Sequence, residues 1–309
     1  WKPEQRRWLG WITAGGLMAI LVLSVLVARP TDEGRLVFGG MLRNDWYAFA
    51  FKLLFLFGAA VTTLFAIDVK EIGQKGEFYA LMLVSTLGMN LMASAADIIM
   101  LYLAIETTSI PLYILAGFMT RDDKSTEAGF KYMLFGAAAS AIMLYGFSLL
   151  YGFSGTTNLY TLAEIFYSME FPSLAVIGSF ILILIGFGFK ISAVPLHFWA
   201  PDVYEGAPTP VAGFLSTASK AAGFAVVLRI LVVVFPSIAD NWSMILAILA
   251  TLTMTVGNLL ALGQMRPEGD IKRLLWPLEA RWDPSGVARM TAYRMEITLP
   301  SVAGTMFLY

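Results

Sequence analysis

The sequence predicts an all-α fold, a polytopic bundle of membrane helices in which one helix is discontinuous near Lys190–Pro195. The first observation is composition: 58% of the 309 residues are hydrophobic and 14% are charged, whereas a soluble globular chain carries roughly 25% charged residues. The second is that apolar residues form runs of about 20, the length that crosses a bilayer as a helix. The third is the stretch Gly186 to Arg229, where two lysines, four prolines and the only histidine interrupt apolar sequence.

Eight membrane spans follow from this length criterion. They are Trp8–Ala28, Trp46–Ile67, Phe78–Ala96, Ile98–Phe118, Glu127–Phe153, Ser173–Val194, Thr209–Phe235 and Trp242–Gln264. The connection at Asp97 is so short that the two spans it joins must be antiparallel neighbours. We expect a short amphipathic helix at the membrane surface over Leu159–Glu170. Residues 1–275 are thus interpreted as a single transmembrane domain, and residues 276–309 as an anomalous tail of unknown role.

Basic residues set the expected orientation, because Lys and Arg are enriched in cytoplasmic connections. One set of alternate connections carries Lys2, Arg6, Arg7, Lys70, Lys75, Arg121, Lys124, Arg266, Lys272 and Arg273, and the other carries Arg29, Arg35 and Arg43. The N-terminus and the loops near residues 70, 122, 200 and 268 are therefore expected in the cytoplasm. The formal net charge of −1 gives no basic field for nucleic acid.

The residue inventory excludes several cofactor sites within this chain. With no cysteine and one histidine, it cannot build an iron–sulfur cluster, a structural zinc site or a haem held by two histidines. No GxGxxG or GxxxxGK[ST] motif is present, so no nucleotide-binding loop is recognised. Redox chemistry served by this protein would take place in other subunits.

Three ionisable residues fall near the middle of predicted spans. Glu106 is nine residues into the span that starts at Ile98, Lys220 lies eleven residues past Thr209, and Lys190 precedes Pro195 by five residues. A lysine at the bilayer centre costs about 2.5–3.5 kcal/mol on insertion scales, and such residues usually mark ion pathways. Broken helices in membranes line cavities or are buried in protein. We therefore predict a proton path in which a Glu106–Lys190 pair holds or releases a proton, with structural ion pairs as the alternative.

Other charged residues have two interpretations. Lys131 lies four residues inside its span, where it either belongs to the path or extends to the cytoplasmic surface. His197 follows the helix break and either accepts a proton, since imidazole titrates near neutral pH, or is a structural hydrogen-bonding residue. For Lys52 and Arg229, nearer to span ends, we expect the side chains to extend to the membrane surface.

Three segments resemble NADH-quinone oxidoreductase (respiratory complex I) subunit N, an antiporter-like proton-pumping family. They are Glu106–Tyr113 (ETTSIPLY), Glu127–Tyr132 (EAGFKY) and Gly188–Lys220, which contains PDVYEGAPTP. The resemblance implies an inverted-repeat fold with a complete first five-helix repeat over residues 78–235 and a truncated second repeat. It implies that Glu106 is the essential intramembrane glutamate, that Lys131, Lys190 and Lys220 are the lysines of the first half-channel, and that His197 is the loop histidine. We also expect that a helix precedes Trp1 and that the family pattern is lost after Leu275.

The resemblance further implies a proton-translocating subunit that is an enzyme only as part of the translocase. NAD, FMN, iron–sulfur clusters and quinone would bind partner subunits, with no cofactor in this chain. The expected partners are antiporter-like and small membrane subunits of complex I, the lipid bilayer and protons, but no nucleic acid, in the bacterial inner (plasma) membrane. The alternatives are an Mrp-type sodium/proton antiporter subunit, which sodium dependence would favour, and a structural scaffold, in which Glu106→Gln would impair assembly alone.

Overall fold

The computed structural model describes residues 7–31, 34–168 and 174–264, and this part of the chain is almost entirely helical. The predicted tail after residue 275 lies outside the described residues. The first helices are α1 (Trp8–Val27), α2 (Trp46–Ile67), α3 (Gly76–Ser94), α4 (Ile98–Ala116), α5 (Asp123–Ser154) and α6 (Leu159–Tyr167). They are followed by α7 (Leu174–Lys190), α8 (Ala200–Gly206), α9 (Thr209–Phe214), α10 (Lys220–Val234) and α11 (Ala239–Gln264).

A helix occupies each of the eight predicted spans, and the membrane-bundle fold is confirmed. Six helical segments in the described residues are both long and apolar enough to cross a bilayer: Trp8–Val27, Trp46–Ile67, Ile98–Ala116, Asp123–Ser154, Thr209–Val234 and Trp242–Leu259. The other two predicted spans, occupied by α3 and α7, do not meet both criteria of length and apolar character, for different reasons. Helix α7 is apolar but has only 17 residues, and α3 contains Glu77 and Asn90.

A small β-hairpin departs from the predicted all-α character. Strands β1 (Arg35–Val37) and β2 (Leu42–Asn44) pair antiparallel. The turn between them uses Gly39 and Gly40, both with positive φ, a conformation that glycine adopts without steric cost. A bridge from Leu42 to Ala95 attaches the hairpin to the connection between α3 and α4.

The tight connection between α3 and α4 is held by its own polar groups. Asp97 caps α4, since its Oδ1 accepts hydrogen bonds from the amides of Ile99 (2.8 Å) and Met100 (3.3 Å). The Ile98 amide donates to the Thr157 carbonyl (2.8 Å), and the Leu159 amide donates to the Ala96 carbonyl (3.0 Å). These bonds join the connection to the loop before α6, so both loops lie at the same end of the bundle.

The prediction that Arg229 extends to the membrane surface is wrong. Its guanidinium, 5% exposed, donates two hydrogen bonds to the carboxylate of Asp45, at 2.9 and 3.0 Å. Burial tends to raise the pKa of Asp45, but the bonds from Arg229 and from the Ala48 amide hold it below its ordinary value. A lowered carboxyl pKa stabilises the folded state at pH values above the ordinary pKa of that carboxyl group. This link between α2 and α10 is therefore present at neutral pH and is lost only in acid.

Helices α3 and α4 cross at a glycine. A Cβ atom added to Gly88 would lie 2.5 Å from Thr108 Oγ1 and 2.6 Å from the Thr108 backbone nitrogen. Because one of these neighbours is backbone, it cannot move aside as a side chain can. The absence of a side chain at Gly88 therefore sets the distance between the two helices.

Gly88→Ala is expected to destabilise the bundle by about 1–3 kcal/mol, the usual cost of overpacking. The measurement is the thermal unfolding temperature of the purified protein in detergent. Gly178→Ala in α7 is the matched control, because no atom lies within 4 Å of its added Cβ and alanine favours helix. Equal unfolding temperatures for the two variants would contradict the proposed role of Gly88.

Candidate functional site

Helix α7 ends at Lys190 with a complete hydrogen-bonded cap. The Ser192 amide donates to the Phe189 carbonyl (3.1 Å) and the Ala193 amide donates to the Gly188 carbonyl (2.8 Å). This pattern is the Schellman motif, which requires a left-handed residue where glycine is usual. Ser192 takes that place with φ 57°, at a cost of roughly 1–2 kcal/mol for a residue with a Cβ.

The segment after α7 obtains partners from outside the helix. The Val194 amide donates to Thr253 Oγ1 on α11 (3.0 Å), and the Trp199 indole donates to the Phe189 carbonyl (3.2 Å). Backbone groups without water need such partners inside a membrane protein. The chain resumes as helix only at Ala200, which confirms the predicted discontinuity near Lys190–Pro195.

Lys190 is the last residue of α7 and its side chain is buried, with 8% of the residue exposed. Its ammonium donates a hydrogen bond to Ser109 Oγ on α4 at 2.7 Å. The carbonyl end of a helix carries a partial negative charge, which stabilises a nearby cation. The break therefore places an ammonium group at the negative end of α7.

Glu106 lies three residues before Ser109 on α4, so about 4.5 Å of helix separates the two positions along the axis at a rise of about 1.5 Å per residue. Its Oε1 accepts a hydrogen bond from Ser140 Oγ on α5. No hydrogen bond or ion pair within the described residues joins Glu106 directly to Lys190. Each of the two ionisable groups is instead bonded to its own serine hydroxyl.

Both serines line one small cavity between α4, α5 and α7. Its volume is about 20 Å³, which is room for about one water molecule. Gly136, Ala139 and Gly186 leave this space open. Its polar lining comes from Ser109, Tyr113, Ser140 and Lys190. The cavity therefore offers a water molecule several hydrogen-bonding partners, among them both serines.

Lys220 begins α10 directly after a π-helical turn, Leu215–Ser219, and is 1% exposed. Its ammonium lies 5.5 Å from the centre of the Tyr204 ring, a cation–π contact. A Cβ added to Gly223, one turn further along α10, would lie 3.3 Å from Lys190 Cγ. The stem of Lys190 thus packs beside the helix that carries Lys220.

An aromatic cluster fills the space next to both lysines. The Phe189 ring lies 5.0 Å from the Trp199 ring, and Trp199 stacks on Tyr132 at 4.5 Å. Trp199 also contacts Tyr204, at 6.3 Å between ring centres, so ring contacts lead from the neighbour of Lys190 to the partner of Lys220.

Lys131 lies apart from the Glu106 and Lys190 hydrogen bonds. Its side chain is 34% exposed, and its ammonium binds Glu127 at 2.7 Å and Asp202 on α8. Beside it, Lys124 pairs with Glu205 at 2.5 Å. These pairs hold the segment after the helix break against the start of α5.

His197 lies in the irregular segment between α7 and α8 and is partly buried. Its Nδ1 atom is buried and has no hydrogen-bond partner. A buried ring nitrogen without a partner is costly unless it is used. The Nδ1 atom is thus available for a hydrogen bond to a group outside the described residues.

The two serines were not predicted from the sequence. The position of Ser109 could have been noticed, because it shares a helix face with Glu106 at a spacing of three residues. No sequence pattern indicates Ser140, since its contact with Glu106 joins residues 34 apart.

The residues at this site belong to a region that matches a known family. The family described as NADH:quinone oxidoreductase/Mrp antiporter matches residues 95–276. The chain is 40% identical over 286 residues to NADH-quinone oxidoreductase subunit N of Anaeromyxobacter sp. (strain Fw109-5), covering 85% of this chain and 54% of that relative. It is 43% identical over 274 residues to the same subunit of Desulforamulus reducens, covering 88% and 56%. The chain thus spans little more than half the length of these relatives.

Solved structures give the same fold. A chain of respiratory complex I from Thermus thermophilus with bound aureothin has a TM-score of 0.72 and 34% identity, covering 97% of this chain and 58% of that chain. A chain of the Mrp complex from Dietzia sp. DQ12-45-1b also has a TM-score of 0.72 at 22% identity, covering 97% and 53%. The second likeness concerns the fold alone.

Thr253→Val is expected to loosen the segment after α7, because the Val194 amide then loses its acceptor. An unsatisfied buried amide costs about 1–3 kcal/mol. The measurement is hydrogen–deuterium exchange by mass spectrometry over residues 191–199, which should accelerate. Thr251→Val on the same helix is the control, since the Thr251 hydroxyl is exposed and bonds only the Ala247 carbonyl. Unchanged exchange in Thr253→Val would show that this bond does not hold the break.

Proposed function

The chain belongs to the NADH:quinone oxidoreductase/Mrp antiporter family of membrane proteins, and on this basis we propose that it is a proton-translocating subunit of the subunit N type. In this proposal it couples electron transfer from NADH to quinone, performed by partner subunits, to proton movement through buried Glu and Lys residues. It contributes to the enzyme as a subunit of the translocase and performs no redox step itself.

The observation that supports the proposal most directly is that Glu106 and Lys190 are each bonded to a serine hydroxyl that lines the same water-sized cavity. Lys190 is buried and Glu106 is partly buried. Burial disfavours the charged forms of both groups, whereas their mutual attraction favours them. In this proposal a proton moves between the two groups in response to a charge that changes nearby.

Lys220 is the next proton site in this proposal. Its helix packs against the stem of Lys190, so a protonated Lys220 repels a protonated Lys190 in this poorly solvated environment. Proton arrival at one lysine therefore promotes proton release from the other. The cation–π contact with Tyr204 stabilises the protonated form of Lys220.

Lys131 and His197 are assigned to the cytoplasmic side of the path. The carboxylates of Glu127 and Asp202 around Lys131 attract protons from solution and deliver them toward the bundle. His197 lies in the segment after the helix break, and its buried Nδ1 without a hydrogen-bond partner supports its place on the path. The N-terminus and these loops are proposed to face the cytoplasm, following the distribution of basic residues.

The wider context of the proposal is a bacterial plasma-membrane complex. The partners are the other antiporter-like and small membrane subunits of complex I. NAD, FMN, iron–sulfur clusters and quinone are bound by partner subunits, since this chain has no cysteine for a cluster. Residues 78–235 are proposed as the first of the two inverted repeats.

The test measures proton pumping in liposomes that contain the assembled complex, relative to NADH oxidation. Glu106→Gln and Lys190→Ala are expected to lower pumping about tenfold or more, as removal of a group that transfers protons does. Glu164→Gln and Lys70→Ala, at exposed positions outside the spans, are the matched controls.

Two outcomes would contradict the proposal. Normal pumping per assembled Glu106→Gln complex, with assembly alone impaired, would indicate a structural scaffold. Transport that requires sodium and proceeds without NADH oxidation would indicate a stand-alone antiporter.

A further inference from the structure

We propose that the hydroxyl groups of Ser109 and Ser140 are proton-carrying residues, which pass the proton between Lys190 and Glu106 through one water molecule in the cavity they share. The inference rests on the proposed function, because it names the groups by which the pair exchanges its proton. It goes beyond that function by assigning the step to two uncharged side chains.

Hydrogen bonds connect each ionisable group to one serine. The Lys190 ammonium donates a hydrogen bond to Ser109 Oγ, and Ser140 Oγ donates one to the Glu106 carboxylate. Both serines are buried and both line the cavity between α4, α5 and α7. The bonded path from lysine to carboxylate is therefore complete except for one water-sized step.

The second argument is that the Ser140 hydroxyl bonds to an ionisable side chain, whereas the Ser179 hydroxyl bonds to its own helix. Ser179 on α7 donates to the carbonyl four residues back, at 2.8 Å, which is the common local use of serine in a helix. Ser140 donates across the bundle to Glu106 instead. Ser109 keeps the local bond, to the Ile105 carbonyl at 2.6 Å, while accepting from Lys190. A serine hydroxyl relays a proton by accepting one and donating its own, which for Ser109 requires its hydroxyl to rotate from the Ile105 carbonyl to the water.

The third argument is that the cavity suits a water molecule that bridges the serines. A buried water typically makes about three hydrogen bonds, and Ser109, Ser140 and Tyr113 line the space with hydroxyl groups. The absence of a side chain at Gly136 leaves this space open, because a Cβ atom there would lie 2.2 Å from the Tyr113 hydroxyl oxygen. Apart from these hydroxyl groups and Lys190, the residues that line the cavity, including Ile105 and Phe187, are apolar.

The transfer balances without any further reactant. An N–H bond of the Lys190 ammonium breaks as its proton joins Ser109 Oγ, and the original Ser109 hydroxyl proton passes to the water. The water gives one proton to Ser140 Oγ, and the original Ser140 proton passes to the Glu106 carboxylate. The products are a neutral amine and a neutral carboxylic acid, with both hydroxyls and the water intact. The reverse sequence restores the charged pair.

The experiment uses the assembled complex in liposomes and measures proton pumping per NADH oxidised for Ser109→Ala and Ser140→Ala. Each is expected to reduce pumping about tenfold, because a relay group is lost while Glu106 and Lys190 remain. Ser140→Thr retains the hydroxyl and should restore most of the pumping. Ser179→Ala is the matched control, as it removes a buried serine hydroxyl that does not line the cavity.

A second measurement uses the unaltered complex and so does not depend on variants that assemble. Pumping is recorded in mixtures of H₂O and D₂O. Because several protons move together in the relay, the rate should fall as a curved function of the deuterium fraction. A straight line would indicate one transferring proton and would overturn the inference.

The outcomes separate this inference from the proposed function. Normal pumping in both alanine variants, together with loss in Glu106→Gln, would overturn the serine relay and leave the proposed function standing. Equal losses of pumping in Ser179→Ala and Ser140→Ala would show that the loss comes from a general packing defect, which would also overturn the relay. Normal pumping in Glu106→Gln would overturn both.

Discussion

The requirement that backbone groups be satisfied away from water controls the structure around Lys190. A helix can end within a membrane bundle only where its last carbonyls and the following amides find new partners. Here the Schellman cap at Ser192, the indole of Trp199 and the hydroxyl of Thr253 supply those partners. Because α7 stops there, Lys190 lies at the negative end of a helix rather than along its side.

A second feature is that the opposite charges are not in direct contact. A lysine and a carboxylate bonded to each other in a poorly solvated interior attract strongly, and separating them would slow every transfer. Lys190 is bonded instead to the hydroxyl of Ser109, and Glu106 to the hydroxyl of Ser140. In the proposed relay these hydroxyls both accept and donate a proton. The Asp45–Arg229 pair shows the contrast: it is direct and bidentate, as suits a fixed link between helices.

The sequence predicted those parts of the site that depend on local composition. Hydropathy located the helices, and Pro195 with its small neighbours located the break. The position of Glu106, Lys190 and Lys220 along their spans marked them as buried, and the structure describes Lys190 and Lys220 as buried and Glu106 as partly so. The hairpin was missed although Gly39 and Gly40 between two apolar runs signal a turn. The pairing of Arg229 with Asp45, 184 residues apart, and the bond from Ser140 to Glu106 depend on tertiary packing, which a single sequence does not display.

The central claim is that Glu106 changes its protonation during turnover, and infrared difference spectroscopy of the assembled complex tests it most directly. The account predicts a carbonyl band of a protonated carboxylic acid that appears and disappears with NADH oxidation, shifts in D₂O and is absent from Glu106→Gln. A turnover spectrum without such a band, or with the same band retained in Glu106→Gln, would contradict it.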